Sequence, residues 1–221
     1  MSWQAHALNG VMRTLSRVMD TSAEGLHKQL EKKGLQGYAP KPKAMDGLDV
    51  TVTTLEGMPV YRLVRSGTSP EQAVFYCHGG SYCFEISPLH WRFLRQLALE
   101  VPTAVHVPIY PLSPGSTAAQ TVPAVSDVLR KVAAEHGADH VTVMGDSAGG
   151  GLALAVAQNA RELDLRRVVL LSPWLDAACP DPRQLEIEPR DHMLTIEVLQ
   201  EAGLTETEAL AAAGVALQPG Q

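Results

Sequence analysis

The sequence predicts an α/β fold, with a mostly parallel sheet covered by helices on both faces. Beyond about residue 70, short apolar runs alternate with segments whose apolar residues recur every three or four positions. Runs such as "RRVVLLS" are almost continuously hydrophobic, which is typical of parallel strands buried on both faces. With 221 residues and 45% hydrophobic content, the chain is long enough for one domain with a sizeable core.

The chain begins with two predicted helices. Apolar residues recur at helical spacing over residues 2–20, and a second helical stretch covers residues 22–33. The segment "GLQGYAPKPKAMDG" follows, and its glycine and proline content predicts a linker. We therefore expect an N-terminal appendage over residues 1–45 and the main domain over residues 46–221.

The main domain is predicted to begin with strands and to continue as alternating helices and strands. The predicted strands cover residues 48–54, 58–65, 73–77, 103–110, 140–144 and 167–171. The predicted helices cover residues 88–99, 118–135, 147–163 and 194 to about 213. No apolar strand pattern follows residue 171, so the edge of the sheet is expected to be uncovered and the isolated chain poorly soluble.

Composition limits the expected partners. The formal net charge is -6 and there is no block of lysines or arginines, which argues against binding to nucleic acid or to an anionic membrane. The three cysteines lack CxxC spacing, so neither a disulfide framework nor a zinc site is indicated, and a reducing compartment fits best. No apolar run approaches the roughly 18 residues that span a bilayer. We expect a cytoplasmic protein rather than a membrane protein.

The stretch "VTVMGDSAGGGLALA" places Ser147 between two glycines, where a strand pattern changes to a helix of small residues. With Gly145, Asp146, Ala148 and Gly149, it fits G-x-S-x-G, in which the serine occupies a strained turn between strand and helix. A dinucleotide-binding turn would need glycine at position 147, and no G-x-x-x-x-G-K-[ST] occurs. Ser147 is therefore the candidate nucleophile.

A second glycine-containing segment, "YCHGGSYCF", directly follows the third predicted strand. Consecutive small residues let backbone N–H groups converge on the oxyanion of a tetrahedral intermediate. The candidate oxyanion-hole residues are Gly79, Gly80, Ser81 and Ala148, the last three as N–H donors and Gly79 as the source of the loop's freedom. An ordinary glycine turn is the alternative, but the position ahead of the G-x-S-x-G turn favours an oxyanion loop.

These motifs resemble the hormone-sensitive-lipase-like branch of the α/β-hydrolases. The similar segments are "HGGSY", "VPIYPLSPGSTAAQTVPA", "GDSAGGGLAL" and "LLSPWLD", and the resemblance runs from about residue 48 to residue 200. It implies hydrolysis of a carboxylic ester or lactone with a small acyl group through an acyl-enzyme, with no metal or organic cofactor. Two positions depart from the family pattern. Ser81 replaces a glycine, and Gly115 replaces the glutamate of the usual "YRLAPE" segment.

The resemblance also assigns the N-terminal helices to a cap over the acyl pocket. A helix on a membrane surface is the alternative for residues 2–20, but only Arg13 and Arg17 are cationic there, fewer than such helices usually carry. The expected partner is therefore a small-molecule ester, without stable membrane insertion.

The serine also needs a histidine and an acid, which in this fold follow it in the order serine, acid, histidine. The only histidine after Ser147 is His192, at a position that is not the family's catalytic histidine. His78 precedes the serine, and the resemblance implies that it supports the oxyanion loop by hydrogen bonding. The family's last two strands, which carry the acid and the histidine, are not recognisable.

Two hypotheses follow from this difference. One is an active serine ester hydrolase. The other is a truncated or frame-shifted, catalytically inactive chain that at most binds ligands or partners. The remaining histidines are expected to be structural, at positions 6, 27, 90, 106, 136 and 140.

Overall fold

The computed structural model describes residues 22, 24, 25, 28, 37–191 and 194–202. The helix expected over residues 2–20, most of the one expected over residues 22–33, His192 and residues 203–213 of the last expected helix lie outside this part of the chain. Residues 196–202 are helical. Among the described residues, no helix is both long enough and apolar enough to cross a membrane.

The core of the structure is a single sheet of six strands. They are β1 (Leu48–Leu55), β2 (Met58–Arg65), β3 (Gln72–Cys77), β4 (Thr103–Pro108), β5 (Val141–Asp146) and β6 (Arg167–Leu171). Their spatial order is β1-β2-β4-β3-β5-β6. The first two pairings are antiparallel and the other three are parallel. The predicted mostly parallel sheet is therefore confirmed.

In the described part of the main domain, four α-helices lie between or after the strands, in addition to the helical residues 196–202. They are α1 (Pro88–Glu100), α2 (Ala118–His136), α3 (Ala148–Asn159) and the short α4 (Gln184–Ile187). The first three and all six strands begin and end within about four residues of the predicted positions. The sequence pattern missed α4 because a single turn contains too few residues to show a helical period.

The local sequence explains how the first hairpin turns. Glu56 and Gly57 connect β1 to β2, and both have positive φ, at 49° and 77°. Two central residues with positive φ are typical of the type I′ turn, whose twist matches that of the flanking strands. The register pairs Leu55 with Met58 and continues without a break to Leu48 and Arg65.

Side chains of β3 alternate between the two faces of the sheet and so divide the core in two. Phe75 and Cys77 pack with apolar residues of α2 and α3. Val74 and Tyr76 pack on the other face, against α1. Because successive side chains point to opposite faces, β3 packs against helices on both faces of the sheet, as the α/β class requires.

The candidate site lies at the carboxyl edge of this sheet. β3 and β5 are parallel neighbours, and Cys77 is paired with Gly145 near the end of both strands. The loop after β3 and the turn after β5 are therefore adjacent, which is where open α/β sheets bind ligands. Within the described part of the chain, β6 pairs with β5 alone and forms one edge of the sheet.

Candidate active site

The backbone of Ser147 is strained and held from several sides. Its φ of 50° and ψ of -124° lie outside the usual regions for a residue with a side chain. Its N–H donates to the carbonyl oxygen of Leu171 (3.0 Å), and its carbonyl oxygen accepts from the N–H groups of Trp174 (2.8 Å) and Gly150 (3.0 Å). These hydrogen bonds stabilise a conformation that an isolated serine would rarely adopt.

The two outer glycines of G-x-S-x-G allow close packing around this turn. A Cβ atom on Gly145 would collide with the carbonyl oxygen of Gly149. A Cβ atom on Gly149 would collide with the carbonyl oxygens of Cys77 and His78. Glycine at both positions therefore lets the start of α3 lie against β5 and against the end of β3.

The loop after β3 reverses direction through three successive residues with positive φ. These residues are Gly80 (133°), Ser81 (51°) and Tyr82 (58°). The carbonyl oxygen of Gly80 accepts from the N–H groups of Cys83 (3.0 Å) and Phe84 (2.8 Å), which closes the turn. A Cβ atom on Gly80 would lie 2.7 Å from the carbonyl oxygen of Phe84, so glycine is required there.

The backbone donors of this loop have different partners. The N–H of Gly79 donates to Oδ1 of Asp146 (2.8 Å), so this donor is already engaged. The described part of the chain provides no hydrogen-bond acceptor for the N–H groups of Gly80, Ser81 and Ala148. Ala148 is also the first residue of α3, where helix N–H groups and the helix dipole favour an anion.

Asp146, the residue before Ser147, joins three parts of the structure. Its carboxylate accepts hydrogen bonds from the Tyr76 hydroxyl (2.6 Å), the Gly79 N–H (2.8 Å) and Nε2 of His90 (3.1 Å). The Ser87 N–H donates to Nδ1 of His90 (3.0 Å), which places the histidine proton on Nε2, facing Asp146. Asp146 thus links the turn at Ser147 to β3, to the loop after β3 and to α1.

These contacts also determine the ionisation state of the Asp146 carboxyl group. Burial raises the pKa of Asp146, but hydrogen bonds from His90 and Tyr76 and then from Gly79 outweigh burial, and the net pKa lies below its usual value. Burial, together with the nearby carboxylate, raises the pKa of Tyr76. At neutral pH the pair is therefore an ionised acceptor and a protonated donor.

The sequence did not predict that His90 belongs to this network. His90 is in the first turn of α1, where Ser87 and His90 form a reciprocal capping box. The usual capping-box signature has glutamate or glutamine at that position, so the pattern "SPLH" gave only a weak signal. The distant partner, Asp146, could be identified only once α1 and β5 were placed in three dimensions.

His78 lies inside the oxyanion loop and is completely buried. Its Nδ1 is 2.8 Å from the carbonyl oxygen of Gly79, which can only accept, so Nδ1 carries the proton. The ring stacks on Tyr110 at a centroid distance of 4.5 Å, and the Tyr110 hydroxyl donates to the His78 carbonyl oxygen. These contacts fit a residue that supports the loop.

The segment "YPLSPG" also supports the loop, although Gly115 replaces the family's glutamate. The N–H of Ser113 donates to the carbonyl oxygen of Tyr82 (3.0 Å). With the bond from Tyr110 to His78, this segment contacts the loop near both of its ends. Backbone and tyrosine contacts therefore hold the loop in the absence of a glutamate side chain.

Three aspartates that follow Ser147 make local contacts. Asp176 caps the N–H of Ala178 (3.1 Å), and Asp181 pairs with Arg183. Asp191 accepts from the N–H of Leu194 (3.0 Å). Among the described residues no histidine follows Ser147, and His192 lies outside them.

An apolar pocket lies between α2, α3 and the loop after β3, near the turn at Ser147. Its lining includes Tyr82, Val122, Gly151, Leu152 and Trp174. The rings of Tyr82 and Trp174 are 5.5 Å apart. Ser147 is not among the lining residues, but Gly151, four positions along α3 from it, is. A pocket that is mostly apolar is suited to an acyl chain.

Comparison with known protein families gives a match over much of the chain. Residues 74–214 match the family described as alpha/beta hydrolase fold. A triacylglycerol lipase of Mycobacterium tuberculosis is 39% identical over 146 residues, which are 63% of this chain and 33% of that protein. An acetyl-hydrolase of Streptomyces hygroscopicus is 31% identical over 137 residues, 59% of this chain and 45% of that protein. The chain spans about one third to one half of the length of these two relatives.

Solved structures give a similar result for the fold. A hormone-sensitive-lipase homologue from a metagenome library superposes with a TM-score of 0.72 at 25% identity, covering 91% of this chain and 68% of that chain. An esterase of the bacterial hormone-sensitive lipase family gives a TM-score of 0.76 at 20% identity, covering 98% and 74%. At 20% identity the second likeness shows the fold alone.

Proposed function

The chain belongs to the α/β-hydrolase fold family, which matches residues 74–214, and on this premise we propose that it is a carboxylic ester hydrolase with Ser147 as its nucleophile. One observation carries the proposal: the strained Ser147 turn lies against a loop in which the N–H groups of Gly80 and Ser81 have no acceptor among the described residues. The names of the relatives, a lipase and an acetyl-hydrolase, support the same reaction class.

In the proposed reaction, the hydroxyl oxygen of Ser147 attacks the ester carbonyl carbon as a general base accepts its proton. The carbonyl oxygen becomes an oxyanion and accepts hydrogen bonds from the N–H groups of Gly80, Ser81 and Ala148. The intermediate collapses, the alcohol leaves with a proton, and water then hydrolyses the acyl-enzyme. Loss of one such donor typically lowers kcat about 100- to 1,000-fold, so the loop is a major contributor.

The apolar pocket supports a small acyl group as the substrate's acid component. Tyr82 and Trp174 form one wall, and Leu152 lies on the first turns of α3. A Cβ atom on Gly151 would collide with the Trp174 carbonyl oxygen and the Tyr82 hydroxyl, which indicates how closely these walls approach. We propose an ester or lactone with a short acyl chain.

The proposal includes the parts of the chain on either side of the site. Residues 1–45 would form a cap over the apolar pocket, with residues 46–221 as the catalytic domain. The last part of the proposed cap region packs on the domain: the indole N–H of Trp91 donates to the carbonyl oxygen of Tyr38 (2.9 Å), and Met45 is buried. Because Cys77, Cys83 and Cys179 are buried and form no disulfide bond, we also propose a reducing, cytoplasmic location.

A second candidate function is ligand binding without turnover. It is favoured by a specific feature of this sequence, in which His192 is the only histidine after Ser147. Loss of the triad histidine alone costs subtilisin about a million-fold in kcat. If His192 does not reach Ser147, the chain would bind an ester in the apolar pocket and leave it intact.

Hydrolysis of p-nitrophenyl acetate tests the proposal. Turnover is expected in the wild type and in the exposed-serine control Ser69→Ala, and it should fall by at least about 1,000-fold in Ser147→Ala. A parallel loss in His192→Ala, but not in His140→Ala, would assign the base. Equal turnover in wild type and Ser147→Ala would overturn the proposal, and a folded wild type that binds the ester without releasing nitrophenol would favour the second candidate.

A further inference from the structure

A second cluster of ligating side chains lies far from Ser147, between β4 and the end of α2. His106 is on β4, and Glu135 and His136 are the last two residues of α2. The helix α2 follows the carboxyl end of β4 and leads back to the start of β5. Its last turn therefore lies at the amino ends of the parallel strands, whereas the nucleophile turn lies at their carboxyl ends. The cluster is thus independent of the proposed ester hydrolysis.

The three side chains converge on one point. Nε2 of His106 is 3.0 Å from Nε2 of His136, and Nε2 of His136 is 3.6 Å from Oε1 of Glu135. One ligand atom from each residue lies within 4.8 Å of the other two. A tetrahedral ion with metal–nitrogen bonds of about 2.0–2.1 Å holds its donor atoms about 3.3 Å apart. The observed separations need only small side-chain adjustments to match.

The burial of the cluster suits an ion that enters from solvent. His106 is buried and the His136 side chain is 6% exposed, whereas the Glu135 side chain is 55% exposed. The carboxylate forms the open side, where water could complete the coordination.

Two neighbouring features compete with a metal. A hydrogen bond between the two Nε2 atoms holds one proton there, so a metal would use both Nε2 lone pairs only with the donor ring converted to its Nδ1–H tautomer. Nε of Arg62 is 3.8 Å from Oε1 of Glu135, and its charge opposes a nearby cation. If Oε1 binds the metal, the guanidinium must shift to the other carboxylate oxygen, where it would act as an outer partner that orients the ligand.

We propose that His106, Glu135 and His136 bind a divalent transition-metal ion of the zinc type. Two imidazoles and one carboxylate are a ligand set that zinc accepts, with solvent in the fourth position. The ion would crosslink β4 to the end of α2. Position 106 is 29 and 30 residues from its partners, so the cluster has no short sequence spacing that would have predicted it.

Calorimetric titration of the chelator-treated full chain with zinc chloride tests the proposal, with cobalt as a spectroscopic probe. We expect one equivalent of zinc to bind, the Tm to rise, and cobalt to give the intense visible bands of a tetrahedral site. Glu135→Gln, an exposed change that should not disturb folding, is expected to weaken binding about 10- to 100-fold, and His136→Gln should abolish it. The adjacent His140→Gln is the matched control and should bind like the wild type.

None of these readouts depends on ester hydrolysis. Failure of the catalytic proposal would therefore leave this test intact. Absence of saturable binding at one equivalent would overturn the metal proposal. Zinc affinity in Glu135→Gln and His136→Gln equal to that of the wild type would overturn it as well, because the ion would then be bound elsewhere.

Discussion

Replacing Asp146 with asparagine should show how much its hydrogen bonds contribute to stability, because the shape of the side chain barely changes. The carboxylate accepts two hydrogen bonds at Oδ1, from Tyr76 and Gly79, and one at Oδ2, from His90. Asparagine has nearly the same size but only one acceptor oxygen. If that oxygen keeps the two bonds of Oδ1, the amide group places its hydrogens against the Nε2–H of His90.

The expected cost follows from these contacts. A hydrogen bond to a charged group contributes about 1.5–3 kcal/mol to stability, and an unmatched buried donor costs about as much. The Asp146 side chain is only 25% exposed, so solvent replaces little of what is lost. Asp146→Asn should therefore lower the free energy of unfolding by about 2–4 kcal/mol at pH 7.

Urea denaturation followed by tryptophan fluorescence measures this change. The exposed Asp164→Asn is the matched control and should change the free energy of unfolding by less than about 0.5 kcal/mol. Folding lowers the pKa of Asp146. Its contribution to the free energy of unfolding is therefore complete above the pKa of the unfolded chain, about 3.9, and is lost as the pH falls through the lower pKa of the folded protein.

The gap in the free energy of unfolding between wild type and Asp146→Asn should therefore stay constant from about pH 6 to 8 and shrink below about pH 4. A gap at pH 7 no larger than that of the Asp164→Asn control would refute the reasoning. So would a gap that widens toward acid pH.

Two further predictions concern packing and the sheet edge. Gly149→Ala should destabilise the fold by about 1–3 kcal/mol or more, because its Cβ would collide with two carbonyl oxygens. The control Gly115→Ala should be tolerated, because the nearest atom to its Cβ is 3.4 Å away. Thermal unfolding compares the two variants, and equal Tm values would contradict the packing argument. Val168→Lys on the β6 edge should reduce aggregation in light-scattering measurements, because Val168 is 38% exposed on an edge strand, and unchanged scattering would count against edge pairing.

The tight turn at Ser147 was predictable because its requirements are local. G-x-S-x-G fixes the close approach of α3 and β5, and the glycines that meet carbonyl oxygens lie within a few residues of Ser147. The sheet was predictable because each parallel strand is a short apolar run, and β3 in addition alternates between two buried faces.

Contacts between distant residues were not predictable from these patterns. His90 reaches Asp146 across 56 positions, and His106 reaches His136 across 30. Both pairs depend on which helix packs on which strand, and a lone histidine in a helical or strand pattern carries no sign of its partner. The engaged N–H of Gly79 was hidden for the same reason, since its acceptor lies on β5.

The central claim is that Ser147 is an activated nucleophile, and covalent labelling tests it most directly. The folded protein is incubated with a fluorophosphonate ester, and the adduct is located by peptide mass spectrometry. We expect one adduct on Ser147, absent from Ser147→Ala and from protein unfolded in urea before labelling. A folded protein that remains unlabelled at Ser147, or a Ser147→Ala variant that carries the same adduct, would contradict the claim.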